Sequence, residues 1–408
     1  MDFEVLIIGT DANAYYMARC FHEIYHKKAH LVGKSPLPYT QYTNILEVRY
    51  FDDLWEENGF LNAVFLCKKQ LGDKKTLLIS SNETYAGFIA KNSEKLLAEG
   101  FVFNYPETEI INSLMYKELF YKTYENSCLD LPVTVYYDCK EKGDIPQDFT
   151  YPVIVKPSNV ILYNHLDFEG KNKIYKIESR EELEETVNRI IDGGYDDCLI
   201  IQDFIPGDDS YLFDAVAYSD SNGKVCMVSF AQIGLQEHTK AMVGNAAVLI
   251  NGYNQFGDTE KITKKIALFL EQINYRGFAE FDLKYDRRDG KFKVLEINAR
   301  QGRSSYYICP LGCNPVKMLI DDLIFDECPD YGVLQSEMLL SFVPKGIIKK
   351  YVKNEDFLKK ALEIWARQGA TNPLDYSKDK NFKRKLYLLK RKLRYFKEYK
   401  NSYWKVDK

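Results

Sequence analysis

The chain opens on Val5-Leu6-Ile7-Ile8-Gly9, a continuous apolar run that ends in Gly-Thr-Asp and is followed over Ala12–Tyr25 by apolar residues at helical spacing. A strand apolar at every position has to be covered on both faces, which a parallel sheet achieves with its crossover helices. The N-terminus therefore predicts a layered parallel sheet. Leu61–Gln70, a strand over Thr76–Ser80 and a helix over Thr84–Glu99 repeat the alternation, so residues 1–110 read as a doubly wound α/β domain. The turn Gly9-Thr-Asp-Ala-Asn-Ala lacks the second and third glycines that bring backbone against a pyrophosphate, which disfavours a dinucleotide.

The pattern then changes to α+β. A polar helical segment at 114–128 leads to a turn from Asp148 and the strand Tyr151-Pro-Val-Ile-Val-Lys-Pro. A strand over Lys173–Ile177, a helix over Arg180–Asp192 and strands over Leu199–Phe204, Tyr211–Tyr218 and Lys224–Ile233 follow, with the antiparallel turn Ser219-Asp-Ser-Asn-Gly. Helix Asp258–Ile273 precedes a hairpin of Ala279–Tyr285 and Lys291–Asn298. The divisions read are 1–110, 111–200, 201–330 and a C-terminal region 331–408. With 408 residues, several packed units are expected.

The hairpin carries the most chemistry. In Phe281-Asp-Leu-Lys-Tyr-Asp-Arg-Arg-Asp-Gly-Lys-Phe-Lys-Val-Leu-Glu-Ile-Asn-Ala-Arg, Asp282 falls near the start of one strand, while Glu296 and Asn298 share a face of the returning strand. Two carboxylates and an amide oxygen suit Mg²⁺, and Arg300 on the same face suits charge on a transferring phosphoryl group. A solvated hairpin without an ion accounts for the same spacing. Lys156 sits in an otherwise apolar strand, and a buried lysine demands an anion. Lys117 and Lys173 add positive charge within the same region, although each alone is equally a solvated lysine. Gln202-Asp-Phe-Ile-Pro-Gly-Asp-Asp209 is either a chain reversal or a hinge whose backbone at Phe204 and Ile205 meets a purine edge.

Taken in order, Lys117, Lys156, the IIQDFIPGDD segment, Asp282 and the LEINAR strand resemble the ATP-grasp superfamily of carboxylate-amine ligases, over roughly residues 110–305. The α/β opening is similar to the family's pre-grasp domain, ahead of a two-subdomain grasp fold. The resemblance implies ATP as cofactor, with Lys117 and Lys156 on its phosphates, joined by either Lys171 or Lys173 from the covering loop, Gln202 and Ile205 at adenine and Asp209 at ribose. It implies two Mg²⁺ ions, or Mn²⁺ instead, on Asp282, Glu296 and Asn298, with Arg300 serving phosphoryl transfer. Glu280 stands where the D-alanine ligase branch has an arginine. The stretches Lys156-Pro-Ser-Asn, Asp167-Phe-Glu-Gly-Lys and Asn298-Ala-Arg-Gln-Gly-Arg-Ser-Ser-Tyr-Tyr look most like the D-aspartate ligase group.

That likeness implies a ligase joining D-aspartate, through an acyl phosphate, to a lysine side chain of a peptidoglycan precursor. Arg303 would then grip the carboxylate left unactivated, or else ion-pair with Glu280 or another acid and shape the pocket; His238 is a further candidate for substrate contact. The alternatives are another grasp ligase or carboxylase in capsule or natural-product assembly, and a non-catalytic nucleotide-binding scaffold.

Charge and cysteines bound the setting. The net charge is −4, which excludes a nucleic-acid partner recruited by bulk charge. Nine cysteines without CxxC spacing and an N-terminus unlike a secretory signal lead us to expect the cytoplasm. Residues 378–408 depart from the average, with thirteen Lys/Arg against three Asp/Glu. There Phe382, Leu386, Leu389, Leu393 and Phe396 recur at steps of four and three. We expect this stripe to pack on the chain's own domain; the alternative is peripheral contact with the inner face of an anionic membrane.

Overall fold

The computed structural model describes residues 2–146, 149–238, 242 and 244–403, so Asp148, where a turn was expected to begin, and the last five residues of the basic tail lie outside the described residues. The opening strand behaves as its composition requires. Strands β1 (Phe3–Ile8), β2 (Ala29–Gly33), β3 (Leu46–Tyr50), β4 (Lys75–Ser80) and β5 (Phe101–Val102) form a fully parallel sheet in the order β3-β2-β1-β4-β5. Along β1, Val5 and Ile7 enter one core while Leu6 and Ile8 enter another, so both faces are buried. The chain leaves β1 through Gly9, whose φ of +118° and approach to Ser81 leave no room for a Cβ. Asp11 then caps the helix Ala12–Tyr25 by accepting from the Ala14 amide at 2.9 Å. The helix expected over 84–99 is two, Glu83–Lys91 and Ser93–Ala98. Asn92 interrupts it, because its side-chain amide donates to the Phe88 carbonyl and to Glu57.

A second sheet comprises β6 (Thr134–Asp138), β7 (Val153–Pro157), β8 (Tyr175–Ile177) and β9 (Cys198–Asp203), all pairs antiparallel, in the order β6-β9-β7-β8. The helix Arg180–Asp192 buries Leu183, Val187 and Ile190 against it. The division expected at 200/201 falls inside β9, whose pairing with β6 and β7 runs straight through it. The polar segment before β6 resolves into helices Thr108–Met115 and Lys117–Tyr124. Strand β8 begins at Tyr175, later than expected, and leaves Lys173 in the loop. The Tyr175 hydroxyl fixes that loop by meeting Tyr163 at 2.6 Å and accepting from the Asn172 amide at 2.8 Å.

The third sheet is the largest. It contains β10 (Leu212–Ser219), β11 (Val225–Gln236), β12 (Ala246–Asn251), β13 (Gly277–Asp286), β14 (Lys291–Asn298), β15 (Gly332–Leu334) and β16 (Met338–Ser341). Its order is β14-β13-β10-β11-β12-β16, with β15 parallel to β11. Helix Thr259–Gln272 covers one face through Ile262, Ile266, Phe269 and Leu270. The other face shares a core with the first sheet, where Val216 and Tyr218 join Val5 and Ile7.

The C-terminal helix Phe382–Ser402 packs, but through the face opposite to the one expected. Arg384, Tyr395 and Tyr399 are its buried residues, while Phe382, Leu386, Leu389, Leu393 and Phe396 are exposed. Polar saturation explains the choice of face. Arg384 pairs with Asp379 at 3.1 Å, donates to the Leu374 carbonyl at 3.1 Å and lies 3.5 Å over the Tyr15 ring. The Tyr395 and Tyr399 hydroxyls donate to Glu237 and to the Gln236 carbonyl. Those directed bonds are available only on the inner side.

Candidate active site

The register of three adjacent strands sets out a row of acids. Asp282 on β13 pairs with Glu296 on β14 on one side and with Asp214 on β10 on the other; two residues along, Glu280 pairs with Asn298. Between Asp282 and Leu283 the ladder shifts by one residue, a bulge that leaves Leu295 unopposed on β14. The Leu295 carbonyl is taken by the Tyr121 hydroxyl at 2.6 Å, which pins helix Lys117–Tyr124 onto the strand.

That helix delivers the first cation. Lys117, at its first turn, donates to Glu296 at 2.5 Å. Lys156 on β7 meets the Tyr121 hydroxyl at 3.3 Å. Burial, with Lys117 adding repulsion and Lys173 a smaller share, pulls the Lys156 ammonium down to about 7 despite Glu296. Burial acts to raise Glu296, yet Lys117, Lys156 and Lys173 together hold it at about 2. Lys173 is exposed on its loop, whereas Lys171 is committed to the loop's own carbonyls at Asn164 and Leu166.

On the acid side the balance reverses. Burial and the neighbouring Glu280, Glu296 and Asp214 push the Asp282 carboxyl well above the usual range. Burial and Glu280 push Asp214 up to about 8. The Ser304 hydroxyl lies 2.6 Å from Asp214 and 2.8 Å from Glu280, and the Tyr307 hydroxyl donates to Asp214 at 3.1 Å. Mutually repelling cations and mutually repelling acids thus meet at the Lys117–Glu296 contact. The lysines fit a polyanion, and the oxygen set of Asp282, Glu296 and Asn298, backed by Asp214 and Glu280, fits a hard divalent cation.

Arg300 lies beside this row but is already held. It contacts Glu83 at 2.5 Å and Glu280 at 3.3 Å, joining the first sheet's helix to the acids. Asn13 reinforces the junction by donating to the carbonyls of Ser81 and Gln301 at 2.9 and 2.8 Å. Arg303 is paired with Glu237 at 3.3 Å, donates to the Ala246 carbonyl at 2.8 Å and stacks 4.2 Å over Phe342.

The remaining expected residues fall around β9 and its exit. Gln202 is buried and donates to the Thr134 hydroxyl at 2.7 Å; Ile205 is also buried. Asp209 accepts from the Gln236 amide at 2.8 Å, the Gln236 side chain at 2.9 Å and His238 at 3.3 Å. Burial opposes its ionisation, but His238 and Gln236 outweigh it and keep the carboxyl low. His238 is itself buried beneath Tyr403, at a ring distance of 4.6 Å, and so belongs to the Asp209 end of the site rather than to the row of acids.

Sequence reasoning missed three participants. Asp214 stood as a single acid in the apolar strand Leu-Phe-Asp-Ala-Val-Ala-Tyr, which was its only signal. Ser304 carried none. Lys284, pulled down to about 8 by burial although Asp209 and Asp208 act to raise it, lies 5.3 Å from the Phe204 ring, with Lys176 at 4.7 Å.

Known proteins resemble this chain at very different depths. The N5-carboxyaminoimidazole synthetase of Staphylococcus aureus superposes with a TM-score of 0.60, at 14% identity, over 90% of this chain and 88% of its own. The L-amino acid ligase of Bacillus licheniformis gives 0.56 at 19% identity over 79% and 74%. At those identities the likeness shows the fold alone. The D-aspartate ligase of Enterococcus faecium (strain Aus0004) is 35% identical over 399 residues, covering 95% of this chain and 93% of that protein. The chain belongs to the D-aspartate ligase family. No family model matches it. It has the ATP-grasp fold and is a ligase forming carbon-nitrogen bonds, as the sequence implied.

Proposed function

We propose that the protein activates the carboxylate of D-aspartate with ATP and joins it to the side-chain amine of lysine in a peptidoglycan precursor, in the cytoplasm. The observation that carries this reading is the meeting of two opposed charge clusters at the Lys117–Glu296 contact. Lys117, Lys156 and Lys173 bind the phosphates. Asp282, Glu296 and Asn298 would hold two Mg²⁺ ions, or Mn²⁺; when bound, these offset charge on the phosphoryl group and orient it. Gln202 and Ile205 line the adenine, and Asp209 holds ribose through whichever lone pairs Gln236 and His238 leave.

The chemistry then follows from positioning. A substrate carboxylate oxygen attacks the γ-phosphorus, the bond to ADP breaks, and an acyl phosphate forms. The lysine amine attacks the acyl carbon, phosphate leaves, and the amine's proton is lost to give the amide. Arg300, steadied by Glu83 and Glu280, faces the developing negative charge. Arg303 takes the second carboxylate by exchanging Glu237 for it, since a guanidinium fork matches two oxygens. The four-stranded sheet is the lid that keeps water from the acyl phosphate. The test is to offer D-Asp, L-Asp, D-Ala, D-Glu and Gly with a lysine-containing precursor peptide and to measure phosphate release and amide mass. Selective turnover of D-Asp is expected; preference for another acid would overturn the substrate assignment and leave the ligase standing.

A further inference from the structure

Helix Phe382–Ser402 is held from inside and left apolar outside. Phe382 is 77% exposed, Leu386 42%, Leu389 56%, Leu393 63% and Phe396 47%. At 100° per residue these five fall in one stripe opposite Arg384 and Tyr395, with Tyr399 to one side, and from Phe382 to Phe396 the stripe runs about 21 Å. Lysines border it on both sides. Lys385 and Lys392 stand along one edge, and Lys383, Lys390, Arg394 and Lys397 along the other; all six are exposed. Lys392 pairs with Asp375 and Arg394 with Glu398, both at the solvent surface, where such pairs exchange readily.

We propose that this outward face is a docking surface for an anionic lipid membrane. A row of large apolar residues left in water between two rows of cations is the arrangement that buries side chains to the acyl boundary while ammonium groups reach the headgroup phosphates. Charge selects the occupant. A second copy apposed through the same face would bring two lysine-bordered rows together, whereas anionic lipid complements them. Among the described residues no helix is long and apolar enough to cross a membrane, so the contact is peripheral. The helix also needs no folding on arrival. Arg384 with Asp379, and Tyr395 with Glu237, already fix it to the body of the protein.

The test sediments the full chain with vesicles of phosphatidylcholine and phosphatidylglycerol in equal parts, and with phosphatidylcholine alone. The expected result is binding to the mixed vesicles only, and its loss as salt rises and the screening length falls from about 10 Å to a few ångströms. Leu386→Ser/Leu389→Ser/Leu393→Ser should weaken binding by at least about tenfold, because each leucine contributes several buried methylene groups. Lys385→Gln/Lys390→Gln/Lys397→Gln should weaken it about fivefold per charge at low salt. Both variants alter only exposed side chains, and unchanged circular dichroism and turnover in solution check their fold. Failure of the wild type to sediment with anionic vesicles at low salt overturns the proposal. So does equal binding to neutral vesicles, or a dimer in light scattering that the leucine variant converts to monomer.

Discussion

Gly302 has no Cβ because Glu280 occupies the space one would fill. A methyl group built there would meet the Glu280 carboxylate, with Oε1 at 1.5 Å, Cδ at 1.8 Å and Oε2 at 1.9 Å, and the nearest neighbours are all from that one side chain. Glu280 cannot simply swing aside. It is buried, accepts from Ser304 at 2.8 Å and contacts Arg300 at 3.3 Å. Gly302→Ala must therefore break both charge-assisted bonds, at about 1.5–3 kcal/mol each, for a total of about 3–6 kcal/mol. The variant should show that loss in denaturant unfolding and a lower turnover, as Arg300 loses one of its two carboxylate partners and keeps Glu83 and the Gln301 carbonyl. A double-mutant cycle isolates the cause. In a Glu280→Ala background the obstructing atoms are gone, and the same substitution should cost less than about 1 kcal/mol. A wild-type-like Gly302→Ala, or an equal cost in both backgrounds, would refute the reasoning.

The other expectations are simpler. Asp282→Asn and Glu296→Gln should abolish ADP release while circular dichroism stays unchanged, since each removes charge at nearly constant shape. Lys156→Ala should raise the ATP dissociation constant severely, in contrast to the exposed Lys224→Ala, as read by calorimetry. Because burial and Lys117 hold Lys156 at about 7, phosphate binding must return its proton at higher pH; ATP affinity should fall as pH rises from about 7 to 9, by at most tenfold per unit, with proton uptake visible in buffers of different ionisation enthalpy. Arg384→Ala removes the cation paired with the buried Asp379, which keeps its hydrogen bonds from Tyr15, Thr43 and the Asn44 amide, and should lower stability by about 3 kcal/mol in denaturant unfolding.

How much of this was legible depended on the kind of force at work. Val5–Ile8 announced a doubly covered strand because apolar burial is written residue by residue. That Asp282 and Glu296 lie on facing strands of one hairpin was legible from its short turn, but their direct pairing was not, since the turn's register would set Asp282 opposite Leu295 and only the bulge beyond Leu283 brings Glu296 to it. Asp214 was not, since its nearness to Asp282 arises from pairing between strands almost seventy residues apart. Asp209 likewise looked free for a ligand, and only the fold brings Gln236 and His238 to it. The C-terminal helix failed for a different reason. Its apolar stripe indicated a preference for leaving water, but the inner face offered Asp379, Glu237 and several carbonyls that only arginine and tyrosine could satisfy.

That same helix imposes an order on synthesis. A ribosome releases residues 382–402 after every segment they pack against, from Tyr15 in the first helix to Gln236 and Glu237 at the end of β11. Until then Asp379 waits without Arg384, and the strand end beside Asp209 lacks the tyrosines that cover it. A nascent chain stalled or cut before Phe382 would thus possess every residue assigned to nucleotide and metal, yet would leave the ribose-side wall unsupported. The Asp209 end of the site is therefore finished only once Tyr395 and Tyr399 have emerged, well after the strands that carry its other residues.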